Sequence, residues 1–461
     1  MMQKSPNVLV VLADQLRGSS VGFAGEEDVK TPNIDLFAES NTIYSNAISM
    51  LPVCSPYRAS LITGRAPTSS GVVINDIPLK TNEISIAHCF KEAGYTTGYI
   101  GKWHLDGPDR TAPVPPGPRR QGFEYWMGAN FEHNYDHSYY TDNIGNENVW
   151  PGWDAEAQTT DAIKYIKNRD KEKPFCLFLS WGPPHHPYRL VPQKYLDLYN
   201  PSNIKGRPNC PDVPYKDLWG YYAQTTFLDD QFKRLIDAVN NEGLFNNTII
   251  IFTSDHGDMH GSHGVYKKQW PWNEAVKVPF IIRYPNSQPI QKTIQTPINV
   301  IDIMPTLLGL SGLNIPDSVD GVDHSKLLMT GQDKQIESVL IMNPCPFSIG
   351  DSRGEDQYPN YKGMRFEYRG VISNTFTYVR TIDQPWLLFN NIDDPFQMNN
   401  LINKSIYTDT QKRMEKLLSY HLTKIGDEFL PREKYYERFQ IKLDNRGKVL
   451  NLVENMYDRN G

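Results

Sequence analysis

The alternation of apolar and polar positions divides the chain into short β-rich runs separated by helical ones. Residues 7–13, 96–100, 175–180, 248–253 and 280–284 are runs of branched and aromatic residues, each ending in a polar or glycine-rich turn. Between them, residues 218–240 place Leu228, Phe232, Leu235, Ile236 and Val239 near the helical period. Gly243 is the stop signal, and Asn246-Asn247 turns the chain into the next strand. A shorter helical pattern covers 161–168. Strands alternating with helices predict an α/β fold, a large, mostly parallel mixed sheet sandwiched by helices. Segments 107–153 and 183–214 are rich in proline and aromatics and too long for connectors, which predicts loops that wall a cleft. Near residue 345 the pattern changes. Strands at 364–371, 375–380 and 386–390 and an amphipathic helix at 408–425 predict a smaller C-terminal α+β subdomain, an antiparallel sheet plus a helix. The expected division is 1–345 and 346–461.

Composition narrows the function classes. With 461 residues, a formal charge of −6 and 39% hydrophobic residues, the chain reads as a globular protein, and bulk positive charge for nucleic-acid binding is excluded. No apolar run reaches the roughly 18 residues needed to span a bilayer, so no membrane partner is expected. The run after Asn7 meets Asp14 too soon to serve as a signal-peptide core. The expectation is a soluble protein, periplasmic or secreted if a leader was removed and cytoplasmic otherwise. Five cysteines without a CxxC pair argue against a disulfide scaffold or a zinc-thiolate site. Cys89 and Cys176 sit in apolar surroundings and read as core residues. Cys54 differs, lying among Pro52, Ser55, Pro56 and Arg58.

Two distant strands end in the same punctuation, one running into Asp14-Gln15 and the other into Asp255-His256-Gly257. In open α/β sheets ligands bind beyond the carboxyl ends of the strands, so both acids are expected in one crevice. Two carboxylates, an amide oxygen and an imidazole suit a hard divalent cation such as Ca²⁺ or Mg²⁺.

The segment from Cys54 to Arg65, with Cys54-Ser55-Pro56-Tyr57-Arg58 and a closing Thr63-Gly64-Arg65, resembles the signature of the formylglycine-dependent type I sulfatases of the alkaline phosphatase superfamily. Further blocks are similar to that family in order: Gly101-Lys102-Trp103-His104, Pro184-His185-His186-Pro187, Ser254-Asp255-His256-Gly257, and His263 to Lys268 followed by Glu274 to Pro279. A tail from Tyr368 through Asp394 to Leu401 extends the likeness over nearly the whole chain. Gln15 stands where many members carry a second Asp, His256 where Asn is common, and Tyr57 where a small residue is usual.

The resemblance implies that Cys54 is oxidised to Cα-formylglycine, whose hydrated aldehyde is the nucleophile, by a formylglycine-generating or anaerobic sulfatase-maturating enzyme. It implies one divalent cation, Ca²⁺ preferred over Mg²⁺, held by Asp14, Gln15, modified Cys54, Asp255 and His256. Arg58 would steady the nucleophile, and Lys102 and Lys268 would grip sulfate oxygens. His185 would protonate the leaving oxygen, and His104 would take the proton from the second geminal hydroxyl. The expected substrate is a small sulfated saccharide taken at a chain end. Asn130, His133, Tyr135, His137, Trp150, Trp153, Trp270 and Trp272 are candidate sugar contacts, and Arg110, Arg119, Arg120 and Arg353 candidate partners for a further acidic group. Aryl or choline sulfates, a phosphonate monoester or phosphodiester, and a non-catalytic glycan-binding role stay open as alternatives.

Overall fold

The computed structural model describes residues 5–285, 290–332, 336–347, 367–444 and 447–450. Its centre is a ten-stranded sheet running, edge to edge, Thr293–Ile294, Thr42–Tyr44, Phe280–Arg283, Thr248–Ser254, Asn7–Asp14, Phe175–Pro184, Thr96–Lys102, Tyr125–Ala129, Tyr139–Thr141 and Glu147–Val149. The central strands pair in parallel, and Phe280–Arg283 and the last two strands are antiparallel to their neighbours. The sheet is therefore mixed and mostly parallel.

Burial on both faces explains the unbroken apolar runs. Val8, Val10 and Leu12 pack on one side with Tyr57, Leu61, Phe90 and Leu307, from the helices Cys54–Thr63, Ile86–Glu92 and Val300–Leu310. Leu9, Val11 and Ala13 point the other way, toward Ile166, Phe227 and Phe232 of the helices Asp154–Asn168 and Tyr215–Asn241.

A second sheet, antiparallel throughout, is built from Ser338–Asn343, Tyr368–Ser373, Phe376–Thr381 and Pro385–Asn390. One face receives Met414 and Leu418 of the helix Thr408–Ile425, and the other packs on Trp270 and Trp272. The first of these strands precedes residue 345, so this sheet draws on chain from both sides of that position.

Several elements differ from the sequence expectation. The helix expected at 161–168 begins at Asp154, because its first two turns bury Ala155, Ala157, Gln158 and Thr159, which give little apolar period. The 107–153 segment is not all loop: it supplies the last three strands of the large sheet. The strand expected at 364–371 is Tyr368–Ser373 in the described residues, and 364–366 lie outside them. Among the described residues no helix is long and apolar enough to cross a membrane.

Candidate active site

The site forms where the strand ends Asp14 and Ser254 meet the start of the helix Cys54–Thr63. These two strands are direct neighbours in register, which brings Asp14 beside Asp255 although 241 positions separate them in sequence. Cys54 is the first residue of its helix, and the whole helix is buried. Asn75 Oδ1 accepts from the Ser55 backbone N–H at 3.0 Å and so satisfies one of that helix's free donors.

Four groups converge on Cys54 Sγ: Lys268 Nζ at 2.8 Å, His256 Nε2 at 3.3 Å, Lys102 Nζ at 3.9 Å and Asp14 Oδ1 at 3.9 Å. Arg58 lies one turn on, its Nη2 3.1 Å from Asp14 Oδ2 and 3.4 Å from Asp255 Oδ2. Its Nη1 donates to the Lys102 carbonyl and to Ser180 Oγ, which locks the guanidinium under the cluster. Lys102 Nζ donates to Asp14 Oδ2 at 2.5 Å. Lys268 Nζ also lies 3.2 Å from His256 Nε2 and 3.3 Å from His185 Nε2.

Burial and the Asp14 charge would push the Cys54 thiol up, but Lys102, Lys268 and His256 outweigh both and hold it well below its ordinary value. Asp14 is likewise held low against burial, by Lys102, His185, Arg58 and Lys268. Asp255 behaves oppositely: burial and the neighbouring Asp14 charge push it up. Two fully buried carboxylates facing one point is an arrangement a bound dication relieves. Ligand atoms of Asp14, Cys54, Asp255 and His256 all lie within 4.8 Å of one another. This donor set fits a divalent cation.

Gln15 has a positive φ of 67° and donates its backbone N–H to Asp255 Oδ1 at 2.9 Å, while its side-chain Nε2 is tied to Asp258 at 2.6 Å. His104 is buried beside this cluster: its Nε2 is 3.0 Å from Asp76 Oδ1, and its ring lies against Phe131, which also lies under the Lys102 ammonium. Asp76 went unremarked in the sequence, although an Asn75-Asp76 turn next to the Cys54 helix is a usable signal. It holds both His104 and the Arg110 guanidinium.

Several expected sugar contacts are instead scaffold. Trp150, Trp270, Trp272, Tyr135 and Asn130 are buried. Asn130 Nδ2 pins the Asp106 and Asp109 carbonyls, and Tyr135 donates to carbonyls of Gly182 and His185. Arg120 is buried among backbone carbonyls, and Arg119 pairs with Asp106. His137, exposed, pairs with Asp136. Arg353 lies outside the described residues. His133 does reach the site, its ring centroid 4.2 Å from that of His185.

Comparison with known proteins agrees with this architecture. The sulfatase family profile matches residues 6–313, more than half of the chain, and the profile for the C-terminal region of N-sulphoglucosamine sulphohydrolase matches 261–424. The chain belongs to the sulfatase family and is a sulfuric ester hydrolase. It is 39% identical to an ulvan-active sulfatase of Formosa agariphila, across 94% of this chain and 84% of that one. It is 30% identical to an endo-4-O-sulfatase of Bacteroides thetaiotaomicron, across 90% and 92%. A Bacteroides fragilis crystal structure described as a sulfatase candidate superposes with a TM-score of 0.82 at 30% identity, covering 94% of this chain and 98% of that one.

Proposed function

We propose that this sulfatase removes sulfate from a sulfated carbohydrate, acting at a chain end, with Cys54 converted to formylglycine and one divalent cation, Ca²⁺ before Mg²⁺, beside it. The observation that carries the reading is the convergence of Lys268, His256, Lys102 and Asp14 on the Cys54 sulfur, with Arg58 bridging Asp14 and Asp255. The names of the relatives that act on ulvan and at a 4-O-sulfate support a glycan substrate.

The metal would be held by Asp14, Gln15, Asp255, His256 and position 54, and when bound it polarises a sulfate oxygen and favours ionisation of the nucleophile. The oxidised position 54 supplies that nucleophile. Lys102 and Lys268 hold the remaining anionic oxygens, placing fixed charge where it builds up on the sulfuryl group. Arg58 keeps the acid pair and the start of the helix in place. His185 donates Nδ1–H to the His186 carbonyl at 3.0 Å, which turns Nε2 toward Lys268, the side on which the leaving oxygen would lie. Burial and Lys268 hold His185 well below the usual imidazole range. The negative charge of a bound sulfate ester acts in the opposite sense, so the proton needed for the leaving oxygen is gained only with substrate in place. His104, oriented by Asp76, is the base that receives a proton from position 54.

The division into a catalytic unit, 1–345, and a C-terminal unit, 346–461, belongs to the same reading, with the strand Ser338–Asn343 of the first unit pairing into the antiparallel sheet of the second. The test is a screen of sulfated mono- and disaccharides, sulfated polymer, aryl and choline sulfates and phosphonate monoesters, using enzyme produced with its maturation system. Mass analysis of the Cys54 peptide accompanies it. Sulfate release from small saccharides with loss of the Cys54 sulfur is expected. Turnover with the thiol intact, or preference for phosphonates, refutes the reading, and preference for polymer refutes the chain-end component.

A further inference from the structure

Beside the Cys54 cluster stands a second group of ligand atoms with different chemistry. His133, His185 and His186 have imidazole nitrogens that all lie within 4.8 Å of one another. The His185 ring centroid is 4.2 Å from those of both His133 and His186. We propose that these three histidines form a second metal site, selective for a nitrogen-seeking divalent ion such as Zn²⁺, whose occupation blocks turnover by capturing His185.

The donor set argues for that ion class. Three imidazoles with no carboxylate among them suit Zn²⁺, Cu²⁺ or Ni²⁺ and not Ca²⁺ or Mg²⁺, whereas the neighbouring carboxylates favour the reverse. His133 Nε2 is buried without a hydrogen-bond partner among the described residues, and its ring lies 4.2 Å from that of His185 and 5.0 Å from that of His186, centroid to centroid. The 185–186 turn is already fixed: His185 Nδ1 is held by the His186 carbonyl, and the Tyr135 hydroxyl donates to the carbonyls of both residues. Such anchoring of the far nitrogen is the usual support of a metal-bound imidazole.

Tetrahedral zinc needs nitrogens about 3.4 Å apart, so the trio closes by modest ring rotation. Lys268 faces the same His185 Nε2 at 3.3 Å but holds Cys54 Sγ more closely, at 2.8 Å. Its positive charge keeps metal affinity moderate, suited to a reversible inhibitor and not to a resident ion.

The inhibitory half rests on the role proposed for His185; the metal site itself does not. Binding is therefore measured without turnover. Co²⁺ is titrated into Cys54→Ala protein at saturating Ca²⁺, which removes the neighbouring thiol and fills the carboxylate site. One equivalent with a four-coordinate visible spectrum is expected, weakened about tenfold or more in Cys54→Ala/His133→Ala and in Cys54→Ala/His186→Ala. Unchanged Co²⁺ affinity in both double variants, with thermal melts confirming that they fold, overturns the site. In active enzyme, Zn²⁺ should inhibit, and the concentration giving half inhibition should rise about tenfold or more in His133→Ala, judged against that variant's own metal-free rate. Equal zinc sensitivity overturns the inhibitory role. If Co²⁺ binds the trio but no sulfate ester is turned over, the functional reading fails and the metal site stands.

Discussion

Two buried ionic clusters invite comparison, one at Cys54 and one in the C-terminal region around Arg369. Arg369 is fully buried, with Nε 2.5 Å from Asp427 Oδ2, Nη2 3.2 Å from Asp427 Oδ1, and further bonds to the Tyr435 hydroxyl and the Tyr368 carbonyl. Tyr435 in turn donates to Asp427. Every charge there is answered inside the cluster, and the groups close on one another. At the active site the groups instead converge on a point: Lys268 meets a thiol and two imidazoles, not a carboxylate. Both clusters perturb their acids, Asp427 and Asp14 alike being held low against burial by adjacent cations. A shifted carboxyl therefore does not by itself distinguish an active site from a structural ion pair. Direction does: outward convergence on one atom, against closure.

Substitutions in the two clusters should give opposite phenotypes. Cys54→Ala should lower sulfate release by at least about 10³-fold, as loss of a nucleophile does, and leave the thermal midpoint nearly unchanged. Arg369→Ala strands Asp427 in the interior and should cost about 3–5 kcal/mol in urea unfolding, with the rate per folded molecule retained. Lys268→Ala removes one positive clamp and should reduce kcat by about 10²–10³-fold without lowering the unfolding midpoint. If Lys268→Ala unfolds the protein, or Arg369→Ala abolishes turnover in folded enzyme, convergence and closure are not the relevant distinction.

What the sequence made legible follows the same line. Asp14 and Asp255 could be placed together because strand ends in a parallel sheet converge by rule, and the Cys54-to-Arg65 segment carries its own motif. The C-terminal strands 376–381 and 385–390 are readable within a residue or so because each is dense in aromatic and branched side chains. The wall of the site was not readable. His133 meets His185 only because the 125–129 strand and the 139–149 hairpin fold segment 107–153 back onto the sheet edge. Strands of three to five residues owe their existence to pairing and leave almost no periodic trace. Aromatic residues misled for a related reason: Trp150, Trp270 and Trp272 look like sugar platforms, yet they fill gaps between layers.

A third cluster sharpens the contrast, because it lies three residues beyond Asp14 in sequence and yet is closed. Glu27, its side chain 2% exposed, lies 3.2 Å from Arg17 Nε and 3.3 Å from Arg207 Nη1, and accepts from Ser19, Ser20 and Tyr222. Burial would raise its carboxyl, but Arg17 and Arg207 prevail and lower it from 4.5 to about 2. A depressed folded value means the stabilisation is complete above the unfolded value, near pH 4.5, and is lost as pH falls toward 2. The shift corresponds to about 3 kcal/mol at neutral pH. Glu27→Gln keeps the side chain's shape and some hydrogen bonds but not its charge. It should therefore be less stable than the parent at pH 7 by up to that amount and should flatten the acid limb of the stability curve between pH 4.5 and 2. Turnover at pH 7 in folded protein should change little, because nothing in this cluster points at Cys54. A loss of turnover larger than tenfold with full folding would mean that closeness to the site in sequence matters more than closure.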